Sequence, residues 1–184
     1  MRIIGGEFKG KRMQLPKGSK TRPTTDFAKE ALFNFLSTEI DFDGLTAIDL
    51  FAGSGGIGFE FLSRGADFVY WVEIDSRNCT GIKKIAVELE AENCKVIKAD
   101  AHKIIEVWKA EPADVIFLDA PFTFKKYLEC GTKIANSKMC RPDTLIIIEH
   151  MSTIHPFEKV EGCTFKKYGQ IMFSIFNASV LQNG

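Results

Sequence analysis

The stretch AIDLFAGSGGIGFE, residues 47 to 60, decides the fold. An apolar strand-like run leads into Gly53-Ser54-Gly55-Gly56-Ile57-Gly58, and an apolar helix-like run follows. A G-x-G-x-x-G loop between a strand and a helix is the dinucleotide fingerprint. Its glycines let the backbone turn tightly and come close to a ligand. Asp49 complicates that reading, because it stands four residues before the first glycine. A carboxylate at the mouth of the loop repels a pyrophosphate.

Outward from the loop, the chain alternates between two periods. Strand-like runs fall at Ala47–Phe51, Phe68–Val72, Lys95–Ala99, Asp114–Leu118 and Thr144–Glu149, with helix-like stretches such as Asn78–Glu90 and Ala101–Lys109 between them. Repeated strand-then-helix units predict an α/β fold with a parallel, doubly wound sheet. The end differs, since CTFKKYGQIMFSIFN holds two strand-like runs joined at Tyr168-Gly169-Gln170, an antiparallel hairpin. Ahead of the sheet, RIIGGEFKGKRMQLP predicts a short basic hairpin turning at Lys9-Gly10-Lys11. A helix then follows through residues 26–36, N-capped by Thr25 or Thr24, with apolar residues at helical spacing. The chain therefore divides into a basic hairpin extension, 1–21, and one α/β domain, 22–184.

The acids identify the ligand class. Glu73 ends the next strand twenty residues after Gly53, where such folds place an acid on ribose hydroxyls. NAD and S-adenosylmethionine (AdoMet) both carry a ribose, but only NAD brings phosphates to the loop. AdoMet instead carries an ammonium and a sulfonium, so Asp49 favours AdoMet over a nicotinamide cofactor. Asp100, in VIKAD, is placed to read an adenine amino group, to N-cap the helix starting at Ala101, or both.

The fourth run narrows the chemistry. DVIFLDAPF ends in Asp119-Ala120-Pro121-Phe122. Pro121 stops the strand and holds Ala120 extended. That leaves the Asp119 carboxylate and the Ala120 carbonyl as two acceptors beside an aromatic ring. Two acceptors and a stacking face suit the exocyclic amine of a flat base.

Composition is that of an ordinary soluble globular protein. The chain has 184 residues, 45% apolar and 26% charged, with no apolar run long enough to span a membrane and no signal-like N-terminal segment. Five cysteines, odd in number and without C-x-x-C spacing, read as reduced thiols of a cytoplasmic protein, with no metal site. Net charge is zero, yet residues 1–22 carry seven cations (Arg2, Lys9, Lys11, Arg12, Lys17, Lys20, Arg22) against one acid, Glu7. A basic segment on an acidic body suits a polyanionic partner.

With these residues in view, the sequence resembles the RsmD-type bacterial methyltransferases, which methylate the N2 amine of a guanine in small-subunit (16S) ribosomal RNA. The resemblance runs through RIIGGEFKGKRM, RPTTDFAKEALFNFL, IDLFAGSGGIGFEFLSRGA, VEID, FLDAPF and KKYGQIMFSIF. It implies a Rossmann-like class I AdoMet methyltransferase sheet of seven strands, the last antiparallel. It places Asp49, Phe51, Gly53, Ser54 and Gly55 in the AdoMet loop, Glu73 on the ribose, and Asp100 at the adenine end. Arg22 to Thr25, including Thr24, match a block near cofactor and substrate. Asp119, Ala120, Pro121 and Phe122 match the catalytic tetrapeptide. Arg2, Lys9, Lys11, Arg12 and Arg22 would grip RNA phosphates. The implied partner is 16S rRNA in the assembled or assembling small subunit, met by a monomer.

One residue departs from the family pattern: Ala120 stands where proline is usual. Alanine supplies the same carbonyl but more backbone freedom, at about 0.4–1 kcal/mol. Two alternatives stay open on the residues, an adenine-N6 methyltransferase acting on DNA or RNA and a catalytically weak RNA-binding assembly factor.

Overall fold

The computed structural model describes residues 2–12, 25–120 and 126–182. Seven strands form one sheet: β1 (Thr46–Leu50), β2 (Phe68–Glu73), β3 (Cys94–Lys98), β4 (Ala113–Leu118), β5 (Cys140–Met151), β6 (Thr164–Tyr168) and β7 (Ile171–Asn177). Their order is β3-β2-β1-β4-β5-β7-β6. The first five run parallel, and β7 lies antiparallel between β5 and β6. The α/β class, the seven strands and the antiparallel end all match the sequence reading.

The helices are α1 (Asp26–Glu39), α2 (Gly56–Ser63), α3 (Ser76–Glu88), α4 (Ala101–Glu106), α5 (Tyr127–Ala135) and α6 (Ser179–Gln182). Two apolar clusters cover the two faces of the sheet. One joins α1, α2 and α3 residues to alternate strand positions such as Ala47, Val69 and Phe117. The other gathers the intervening positions Ile48, Val72 and Ile116 with α4, α5 and α6. The chain winds outward from β1 to β3, then returns to the centre and winds the other way from β4. The switch point therefore lies between β1 and β4, and ligands of such sheets bind beyond the strand ends there.

Several boundaries differ from expectation for local reasons. β5 begins at Cys140, ahead of Thr144, because a bulge absorbs Pro142: the register with β4 shifts between Ala113 and Val115. Thr144 closes the bulge, accepting from Arg141 N at 2.8 Å and donating to Ala113 O at 2.6 Å. α4 ends at Glu106 because Trp108 turns into the core, where its Nε1 donates to Glu111 O at 3.2 Å. Among the described residues, the N-terminal hairpin narrows to one antiparallel bridge, Arg2 opposite Arg12, and the chain reverses across residues 5–10, so Lys11 lies on the returning limb.

That N-terminal segment is tied to two helices. α1 and α2 lie side by side in the same sense, with Lys29 beside Glu60 and Arg64 beside Phe33. The Lys29–Glu60 ion pair, 2.9 Å long, is 1% and 0% exposed. Such a pair is stable only when its remaining hydrogen-bonding capacity is filled. Lys29 also donates to Arg2 O at 2.6 Å, and Glu60 accepts from Ile4 N at 2.6 Å and from Arg64. Ser63 adds bonds to Gly5 O and Phe8 N.

α2 carries the second constraint on the glycine loop. A Cβ at Gly58 would overlap the indole of Trp71, which is fully buried under the helix. Trp71 Nε1 donates to Gly55 O at 3.1 Å. Gly58→Ala must therefore displace the indole or the helix. We expect it to destabilise the protein by about 1–3 kcal/mol. Chemical denaturation would reveal this as a lower midpoint.

Candidate active site

The loop after β1 is built by unusual backbone angles. Phe51, Gly53 and Gly55 have φ of 59°, 54° and 78°, in the left-handed region. Glycine takes that region freely, whereas Phe51 does so at some conformational cost. Ala52 N donates to Val72 O at 3.0 Å and Gly55 N to Ala52 O at 2.7 Å, which fixes the turn. The Phe51 ring meets His102 edge-on at 5.3 Å.

Three carboxyl groups converge on this loop. Asp49, 3% exposed, accepts from Gly58 N at 3.0 Å, inside the first turn of α2. Glu73, 6% exposed, accepts from Gly53 N at 2.6 Å and from Asp75 N at 2.7 Å. Asp119 follows directly on β4, which pairs with β1 through Leu50 and Leu118. A carboxylate offers about four acceptor sites. Glu73 thus keeps two beyond its backbone partners, enough for a pair of ribose hydroxyls.

Loss of hydration pushes Asp49 up to about 8; the Gly58 N–H opposes this, and the charges of Asp119 and Glu73 add to it. Loss of hydration also raises Asp119. A folded carboxyl with a raised pKa binds its proton more tightly than the unfolded chain does. Its contribution to stability is complete below the ordinary carboxylate range and is lost as pH rises toward about 8. The free protein should therefore melt lower at pH 8 than at pH 5.5, by roughly 6–12 °C for a domain this size. Asp49→Asn, which keeps an acceptor for Gly58, should flatten that slope in calorimetric melts. The charged carboxyls also favour a cation, so AdoMet affinity should rise over the same pH interval.

Other sequence-predicted residues fall as follows. Ser54 shares the loop and is partly exposed. Asp100 is the N-cap of α4, accepting from His102 N at 2.9 Å, and it stands two residues past Lys98, the β3 residue paired with Glu73. Thr25 N-caps α1, its Oγ1 accepting from Ala28 N at 3.2 Å. Ala120 is buried in the cluster that holds Tyr127. Arg2, Lys9, Lys11 and Arg12 are exposed on the N-terminal segment, and Arg2 pairs with Asp26 at 3.1 Å. Arg22, Thr24, Pro121 and Phe122 lie outside the described residues.

Sequence reasoning missed Trp71, whose indole supports the loop, and Tyr127, whose phenol is raised by burial first and then by the nearby charges of Asp119 and Glu149. Neither carries a motif. His150 has a structural role: Nε2 bonds Ser174 at 2.8 Å and Nδ1 meets Met151 O at 3.0 Å. Among the described residues, no cluster of side chains suits a metal ion, and no helix is long and apolar enough to cross a membrane. Burial raises the thiol pKa of all five cysteines. A groove of about 640 Å³ opens at the opposite end of the sheet, beside Leu45 and Asp114, away from these carboxyls.

A glycine loop at the switch point, ringed by acids, fits a cationic nucleoside and disfavours a dinucleotide. Sheet order and site define a class I, AdoMet-dependent methyltransferase. The chain belongs to the RsmD-type family, whose model, described as "Conserved hypothetical protein 95", matches residues 1–177. It is 36% identical over 149 residues to ribosomal RNA small subunit methyltransferase D of Escherichia coli, covering 81% of this chain and 74% of that one. Among solved structures, Escherichia coli yhhF superposes with a TM-score of 0.80 at 28% identity, covering 96% of this chain and 97% of that one. The precorrin-6y C5,15-methyltransferase of Geobacter metallireducens shares the fold at a TM-score of 0.64 and 14% identity, covering 89% and 92%.

Proposed function

We propose that this chain transfers a methyl group from AdoMet to the exocyclic N2 amine of a guanine in 16S rRNA, within the assembled or assembling small subunit. The observation that carries this reading is the position of Asp119-Ala120 at the carboxyl end of β4, beside the loop that suits AdoMet. The family relationship supports ribosomal RNA as the substrate. The exposed cations Arg2, Lys9, Lys11 and Arg12 support a polyanionic one. In this reading residues 1–21 form the RNA-gripping extension of a monomeric 22–184 domain.

The cofactor supplies an electrophilic methyl on a sulfonium; this chain's residues align the amine and take its proton. A guanine N2 lone pair is delocalised into the ring and is a poor nucleophile. Hydrogen bonds from the amine to the Asp119 carboxylate and the Ala120 carbonyl turn that lone pair out of conjugation. Phe122 holds the base flat, which requires the base to be unstacked or already in a loop. Asp119 then accepts a proton from the methylated, acidic ammonium. Alignment contributes most, because charge is lost rather than created in the transfer.

Burial of Ala120 supports retained activity at this site. Its packing restricts the backbone where the family pattern relies on proline, so Ala120→Pro should change the transfer rate less than threefold.

The test is transfer of labelled methyl to small ribosomal subunits lacking the modification, with naked 16S rRNA and duplex DNA alongside. Digestion to nucleosides should place the label in N2-methylguanosine. Label in N6-methyladenosine would overturn the base assignment. AdoMet binding without transfer, with a large gain on Ala120→Pro, would instead define an RNA-binding assembly factor.

A further inference from the structure

Helical spacing sets Phe27 on the face of α1 opposite the buried Ala28, Lys29, Leu32, Phe33 and Leu36, and it is 69% exposed, more than any other aromatic among the described residues. A single exposed apolar side chain is unremarkable in itself. Its surroundings are what distinguish this one. Phe27 stands edge-on to Tyr168, ring centres 6.3 Å apart and planes at 84°, so a ring face stays open. Tyr168 is held from behind by Phe173, 6.0 Å away, while its hydroxyl donates to Ala31 O at 3.5 Å.

This pair sits at the catalytic end of the sheet. β5 runs parallel to β4, and its last residue, Met151, pairs with Ile171 at the start of β7. Tyr168, paired with the same Ile171, therefore lies on the side where β4 delivers Asp119. Cations flank the pair. Arg2 reaches Asp26, the residue before Phe27, while its side chain stays 58% exposed, and Arg12 is bridged opposite Arg2. Lys166, on the same face of β6 as Tyr168, has its Nζ 4.1 Å over the Phe35 ring of α1.

An open aromatic face between cations, on the rim of a site that works on a base, matches single-stranded nucleic acid. Rings there take base faces and cations take the phosphates between them. We infer that Phe27, backed by Tyr168, is a stacking site for an unpaired nucleobase flanking the target nucleotide, with Arg2 and Arg12 on the intervening phosphates. The inference rests on the RNA-methyltransferase reading above and adds a second point of contact with the RNA strand. It also accounts for how a target base stays displaced from its neighbours: the neighbour is stacked on the protein.

The test compares wild type with Phe27→Ala, Phe27→Leu and Phe27→Tyr, using small ribosomal subunits lacking the modification and labelled AdoMet. Phe27→Ala should raise the KM for the subunit about 5- to 100-fold, the range for loss of one stacked base. AdoMet affinity and melting temperature should stay unchanged. Phe27→Tyr should restore the KM, and Phe27→Leu should not. In the Phe27→Trp variant, addition of subunits should quench the new fluorescence, set against that of the buried Trp71 and Trp108. An active enzyme whose KM is unmoved by Phe27→Ala, or fully rescued by Phe27→Leu, would overturn the stacking site and leave the enzymatic reading intact. A wild-type protein that neither binds nor labels the subunit would overturn both.

Discussion

Asp119→Ala is expected to lower kcat about a hundred- to a thousandfold, with little change in AdoMet affinity. The magnitude is that of removing a positioned proton acceptor. Asp119 follows the last residue of β4, so its backbone is held by the sheet while its side chain faces the switch point. In the proposed mechanism, without the carboxylate the substrate amine would keep only the Ala120 carbonyl, and its lone pair would stay conjugated with the ring. The pH profile gives a second, independent reading. Loss of hydration raises Asp119 to about 7, and only the ionised form can take the proton that the methylated amine sheds. The rate should therefore rise with pH and level off above about 7, until other groups intervene. Asp119→Asn keeps one acceptor oxygen, so it should retain part of the activity but lose the rise. Transfer by Asp119→Ala within tenfold of wild type would place the chemistry elsewhere.

What the sequence disclosed was what local spacing encodes. The glycine loop, Asp49, Glu73 and Asp119 are each readable because a strand end fixes where the next side chain points. Thr25 and Asp100 are readable as caps because a cap bonds within three residues of itself. The rest depends on contacts distant in sequence. Lys29 and Glu60 look like solvated charges on two helices, and nothing in their own neighbourhoods announces a buried ion pair. Trp71 reads as one more apolar strand residue; its role follows only from the absence of a side chain at Gly58, on another element. Pro142 looks like a strand breaker because a bulge depends on the partner strand. Phe27 falls on the outward face of α1 by the helical period, but its neighbour Tyr168 comes from β6, far away in sequence.

The loop and its acid form one unit, and Glu73→Ala should expose this as the largest loss of cofactor affinity. Its carboxylate accepts from Gly53 N and Asp75 N, at 2.6 and 2.7 Å, in a buried setting. Each such bond to a charged group contributes roughly 1.5–3 kcal/mol. Removing the acceptor leaves two donors unpaired and frees the segment at Gly53 that shapes the site. In the proposed role of Glu73, the ribose hydroxyls would lose their partner in the same step. The expected outcome is an AdoMet Kd raised at least about a hundredfold in titration calorimetry. S-adenosylhomocysteine should weaken by the same factor, because it carries the same ribose and lacks only the sulfonium charge. Glu73→Gln can serve one of the two donors and should fall between. A loss confined to AdoMet would mean that Glu73 acts through its charge on the sulfonium, and the ribose assignment would be wrong.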